Sequence, residues 1–147
     1  MYPAKLQAVI DMFGMFDTAD RTNMLLSYAD QFREVPEEIA SRPFAKSHQI
    51  PQCESDAYAW AIKQPDGTLT LWFAVENPSG VSAKALAAIL QKTLSGLTPE
   101  EISQVDASVV EKLFRQNISM GKGMGLMSMV EAVRALARAA RIANPNR

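Results

Sequence analysis

Cys53 is the only cysteine among the 147 residues, and its neighbours are polar: Pro51 and Gln52 before it, Glu54, Ser55 and Asp56 after it. A free cysteine ordinarily packs as a small hydrophobe among apolar residues, so this setting is unusual. One thiol makes no internal disulfide and holds no metal cluster. A single sulfur can attack as a nucleophile or carry a group. The plain alternative is a packed or incidental thiol. The loop setting weighs against it, because ordered loops are where reactive groups concentrate. Glu54 and Asp56 disfavour the thiolate by like charge. That suits a sulfur which reacts only when a partner supplies the electrostatics.

The other chemistry-bearing residues have strong structural alternatives. His48, the only histidine, precedes Cys53 by five residues. A Cys–His pair would need a tight bend, since an extended separation of that length exceeds hydrogen-bond reach; a surface loop histidine is the favoured reading. Gly121-Lys122-Gly123-Met124-Gly125 offers an anion-binding nest. It lacks phosphate-loop spacing, with no Ser or Thr after the lysine, and flexible entry to a helix is the simpler account. Met120, Met124, Met127 and Met129 cluster. Thioethers suit cuprous ions, but core packing and an adaptable docking surface are the stronger readings. Arg134, Arg138 and Arg141 form either a solvated face that complements a helix C-terminus or a docking face for an acidic partner.

Composition narrows the classes. A formal net charge of −1 argues against a nucleic-acid binder that works by bulk charge. No apolar run approaches the roughly 20 residues that span a bilayer. The stretch from Met1 to Met15 contains Lys5, Gln7 and Asp11 and has no basic start followed by an apolar run, so no signal peptide is expected. A lone cysteine fits a reducing cytoplasm.

The elements that must position Cys53 follow from periodicity. Leu6, Val9, Ile10 and Phe13 predict an amphipathic helix over 4–15. Asp17 or Thr18 caps a second helix whose stripe is Met24, Leu25, Tyr28, Ala29 and Phe32. Residues 35–51, with three prolines, read as a long irregular connection, a kind that is often functional. Strands are predicted at 57–63 and 68–76 around the Gln64-Pro65-Asp66-Gly67 turn, with a short strand at about 47–50. Helices follow at 82–94, ended by Gly96; at the Thr98-Pro99-Glu100-Glu101 capping box; from Asp106 through Phe114; and from about 124 to 142, with Leu126, Met129, Val130, Val133, Leu136, Ala137 and Ala140 inward. The expected class is α+β: one domain over 1–147, with a small antiparallel three-stranded sheet and helices before and after it.

These residues together resemble the SufE-type sulfur-acceptor proteins of iron–sulfur cluster assembly, over nearly the whole chain. Ile50-Pro51-Gln52-Cys53-Glu54-Ser55 is similar to the family signature: a hydrophobic residue, often Pro-Gly, then Cys-Gln-Ser. Tyr58 falls where the family usually has tryptophan. Residues 85–90, followed by Leu94-Ser95-Gly96-Leu97-Thr98-Pro99-Glu100-Glu101-Ile102, resemble its helix and Thr-Pro-Glu-Glu-Ile turn. Ile118-Ser119 through Gly125-Leu126, then Met129 and Arg134, resembles its C-terminal motif. The chain departs at Gln52 for glycine, Glu54 for glutamine, Met120-Gly121-Lys122 for Pro-Ser-Arg, and Met124 for Asn or Gln. Lysine for arginine keeps the charge and loses the planar fork.

The resemblance implies a SufE/NifU-like fold and a carrier and activator rather than an enzyme. Its partner would be a SufS-type cysteine desulfurase, a pyridoxal-phosphate enzyme. Cys53 would take a persulfide sulfur from it, stimulate it, and pass the sulfur to an iron–sulfur scaffold complex. No cofactor is expected on this chain, nor binding to nucleic acid or membrane, and it would be a monomer or homodimer. Docking would involve Gln52, Glu54, Ser55, Lys122, Gly125 and Arg134 around Cys53, whose loop would be shielded in the free protein and move on docking. Two rivals stay open. An iron–sulfur scaffold needs several cysteine ligands, and an anion-binding module would use the 121–125 glycines.

Overall fold

The computed structural model describes residues 2–142. Helix α1 (Ala4–Gly14) buries Leu6, Ile10 and Phe13, one stripe of its surface. Helix α2 (Thr18–Asp30) starts where the Asp17 side chain accepts the Asp20 N–H at 2.8 Å. Its buried positions are Leu25 and, against expectation from composition, Arg21. The Arg21 guanidinium donates to the carbonyls of Phe13 (2.9 Å), Phe16 (3.2 Å) and Leu113 (3.3 Å). A cation there satisfies carbonyls that the end of a helix leaves without partners.

Strands β1 (Ala57–Lys63) and β2 (Leu69–Val75) form an antiparallel hairpin, Ala57 opposite Val75 through Lys63 opposite Leu69. Its inner face sets Ala57, Ala59 and Ala61 of β1 against Val75, Phe73 and Leu71 of β2. Its outer face carries Tyr58, Trp60, Ile62 and Trp72, and the 35–51 connection folds over it with Val35, Ile39 and Phe44. Arg42 fastens that connection: it pairs with Glu34 and with Glu76 (2.7 Å) and lies over the Phe44 ring.

The sheet has two strands rather than the three expected. Lys46–His48 winds into a 3-10 turn, and Gln49 makes only an isolated bridge to Tyr58. The Ile50 N–H then bonds to the Ala57 carbonyl at 2.8 Å. Pro51 follows with no N–H to extend a ladder, and the chain turns off at Gln52.

Helix α3 (Val81–Leu94) runs through the middle of the molecule, with residues 85–90 all buried. It packs on α1, α2, β2 and the last helix. Gly96 has a φ of 92° just beyond it. Helix α4 (Pro99–Ser103) carries the complete capping box between Thr98 and Glu101, and α5 (Ser108–Phe114) follows.

Helix α6 (Met120–Ile142) lies on β1, α4 and α5. The alanines of β1 present a low surface on which it can sit. It begins at Met120, not at about 124. Ser119 opens it, its carbonyl accepting the Gly123 N–H at 2.9 Å and its hydroxyl the Lys122 N–H at 3.3 Å. The 121–125 glycines are therefore the first turns of a helix and not the flexible entry loop that their low helix propensity suggests. No helix among the described residues is long and apolar enough to cross a membrane.

Candidate functional site

The loop ahead of β1 is a closed excursion, pinched where Ile50 bonds to Ala57. Two of its residues, Gln52 (φ 60°) and Asp56 (φ 50°), adopt left-handed backbone that non-glycine residues seldom use. The Asp56 N–H returns to the Cys53 carbonyl at 3.2 Å. Beyond that, the loop is held from outside. Past the end of β2, Glu76 and Asn77 donate their N–H groups to the carbonyls of Asp56 and Ser55, both at 3.1 Å.

Cys53 is half-buried. It borders a pocket of about 200 Å³ lined by Glu54, Ser55, Gly80, Lys122, Gly125 and the first turn of α3. Burial is the largest influence on the thiol and pushes its pKa up. Backbone hydrogen bonds from Ser55 and Ala57 oppose that, and the Asp56 and Glu54 charges add a smaller push upward. The carboxylates act in the direction expected from sequence, but exclusion from water outranks them. The amino-terminal turns of α3 and α6 both face the pocket, and their positive ends favour negative charge there. A thiolate or persulfide anion formed in the pocket would meet that field.

Most of the residues singled out from sequence come together here. Gln52, Glu54 and Ser55 share the loop with Cys53, and Lys122 and Gly125 form the opposing wall. Arg134 is elsewhere. Nine residues past Gly125, it lies about 13 Å along the helix axis, where its Nε donates to the Ser103 carbonyl (3.2 Å) and its Nη1 to Glu131 (2.8 Å). His48 does not pair with Cys53; its Nδ1 is 2.9 Å from the Ala59 carbonyl and its ring stacks on Trp60. Met129 is buried, while Met120, Met124 and Met127 are exposed at helical spacing on one face of α6. The contribution of Gly80 and the start of α3 is not apparent from sequence. The Asn77-Pro78-Ser79-Gly80 turn signal marks the place but not what it packs against.

The family model for the SufE Fe-S metabolism associated domain matches residues 7–137. The chain belongs to this family. As a SufE-family protein it is associated with Fe–S metabolism. Among curated proteins, none matches significantly. Of solved structures, it is similar to the solution structure of a hypothetical protein from Thermus thermophilus. The identity is 24%, with 97% of this chain and 99% of the other covered at a TM-score of 0.75. At that identity the likeness speaks for the fold, which the SufE-family chain shares along nearly its whole length.

Proposed function

We propose that this SufE-family chain is a sulfur acceptor that takes persulfide sulfur from a SufS-type cysteine desulfurase onto Cys53. The observation that carries this reading is the placement of the chain's single thiol. It is half-buried on an externally held loop, beside a pocket walled by two helix amino termini.

The chemistry is thiol–persulfide exchange. The Cys53 thiol loses its proton, and its Sγ attacks the outer sulfur of the partner's Cys–S–SH. A new S–S bond forms as the old one breaks, and the partner's cysteine leaves as a thiolate that takes up a proton. Cys53 ends as Cys53–S–SH, with no net oxidation. Passing that sulfur on to an iron–sulfur scaffold complex regenerates the thiol. Clearing the partner's persulfide frees it for another turnover, which is how the acceptor stimulates it.

A half-buried thiol with a raised pKa reacts slowly by itself. Docking that draws the loop into the partner's site exposes the sulfur where it is needed. Lys122, exposed on the pocket wall, supplies a cation at that entrance.

Mass spectrometry after incubation with a cysteine desulfurase and cysteine tests the reading. One or more added sulfur atoms on Cys53 are expected. A desulfurase that is fully stimulated while Cys53 carries no sulfur would overturn it.

A further inference from the structure

The Cys53 loop rests on two glycines from different helices. On α6, a Cβ built on Gly125 would lie 3.1 Å from the Gln52 carbonyl oxygen and 3.4 Å from the Cys53 Cα. At the start of α3, a Cβ on Gly80 would lie 2.8 Å from the Ser55 Oγ and 2.9 Å from a Val75 methyl. Both glycines are buried. By contrast, Gly14, Gly121 and Gly123 would meet nothing nearer than 3.4 Å. The closest glycine approaches thus converge on one short segment, from below Gln52–Cys53 and from below Ser55.

That segment also holds two of the three non-glycine residues with positive φ among the described residues. Gln52 and Asp56 are left-handed without being glycine. Such strain persists only where surroundings over-determine the conformation. The surroundings here are the Glu76 and Asn77 amides on one side and the two glycine contacts on the other.

We infer that Gly80 and Gly125 are positioning residues that let the Cys53 loop settle against α3 and α6, so that the thiol's access is set by two missing side-chain carbons. A methyl group at either place pushes the loop outward, toward the exposed arrangement that a docking partner would otherwise have to induce. That consequence for sulfur transfer rests on the acceptor reading above; the position of the loop does not.

The test uses the full chain as wild type, Gly125→Ala, Gly80→Ala and, as a control, Gly123→Ala. The Gly123 Cβ faces only the flexible tip of Ile118 at 3.4 Å. Iodoacetamide rates at Cys53 are measured across pH, together with Tm. The added carbon presses on the Gln52–Cys53 backbone at Gly125 and on the Ser55 side chain and a Val75 methyl at Gly80, and such overpacking favours a displaced loop. Gly125→Ala and Gly80→Ala are therefore expected to alkylate at least about fivefold faster at neutral pH. Their pH–rate midpoints should move down toward that of the thiol in urea, because burial is the main cause of its upward shift. Gly123→Ala should stay at the wild-type rate. Alanine for glycine inside a helix favours the helix and offsets part of that overpacking, so alkylation of Gly125→Ala should rise by more than any fall in Tm accounts for; a merely structural role would couple the two.

Equal rates and midpoints in Gly125→Ala and Gly123→Ala overturn the inference. If Gly125→Ala does not fold, a wild-type rate and midpoint in Gly80→Ala does the same. Sulfur loading by a desulfurase and cysteine is measured in parallel. Fast alkylation in the variants with no sulfur on any protein removes the acceptor reading and leaves the glycine contacts standing. Sulfur on wild type with no rate difference between variants and control removes the glycine contacts alone.

Discussion

Strand β1 is entered through one polar loop and left through another, and the two are held in opposite ways. At its far end, the 64–67 turn holds itself. Its left-handed position is occupied by Gly67 (φ 88°), the Gly67 N–H bonds to Gln64 and the Gln64 N–H to Thr68, and the Asp66 carboxylate accepts from the Thr68 N–H and hydroxyl. Most of its bonds fall within five residues. At the near end, the Cys53 loop puts Gln52 and Asp56 where glycine would be relaxed and takes its support from Glu76, Asn77, α3 and α6. A turn that only reverses the chain is locally satisfied. If the Cys53 loop presents sulfur to a partner as proposed, these outside contacts are the ones that the partner can replace.

The largest expected effect is at the sulfur itself. Cys53→Ser abolishes sulfur acceptance, read by mass spectrometry, because serine forms no persulfide. Tm should barely move, since the thiol is only half-buried and the exchange removes little packing. A Cys53→Ser protein that still fully stimulates a cognate desulfurase without added reductant would show that stimulation does not run through sulfur on Cys53.

Next comes the exchange of glycine between the two loops. Gly67→Ala places a Cβ at φ 88° and should cost about 1 kcal/mol or more in urea unfolding, with Cys53 alkylation unchanged. Gln52→Gly relieves left-handed strain but adds chain entropy of comparable size, about 0.5–1 kcal/mol. It should leave stability nearly unchanged. A large loss from Gln52→Gly would show that the Cys53 loop, like the turn, depends on its own local residues.

A smaller effect is expected from pH. The folded thiol holds its proton more tightly than the unfolded one. Its alkylation midpoint should therefore lie above that measured in urea. By linkage, the stability tied to it is present at low pH and is lost as pH rises through the unfolded and then the folded value. A native midpoint at or below the denatured one would contradict the burial argument. The smallest effect is expected at Lys122→Glu, a charge on the pocket rim. It should weaken desulfurase stimulation mostly at low ionic strength, with stability kept within about 0.5 kcal/mol. Unchanged affinity by calorimetry would show Lys122 to be solvated helix surface only.

What could be read along the chain were the features whose partners lie close in sequence. The Asp17 cap and the Thr98–Glu101 capping box each close over three residues, and the hairpin follows from alternation around one turn. The lone thiol in a polar loop was equally plain, because residue identity and immediate neighbours suffice to mark it. The tertiary structure decided the rest. The expected third strand fails because a strand exists only by pairing, and Pro51 and the turn at Gln52 end the pairing after one bridge. The start of α6 moves back to Met120 because the Ser119 cap and packing of Gly125 under Gln52 outweigh poor glycine propensity. Arg21 is buried because its carbonyl partners include one 92 residues away, and Arg134 points to Ser103 rather than to the thiol. The site has the same cause: a pocket is a meeting of surfaces, and α3, α6 and the Cys53 loop come together only once the core between them has folded.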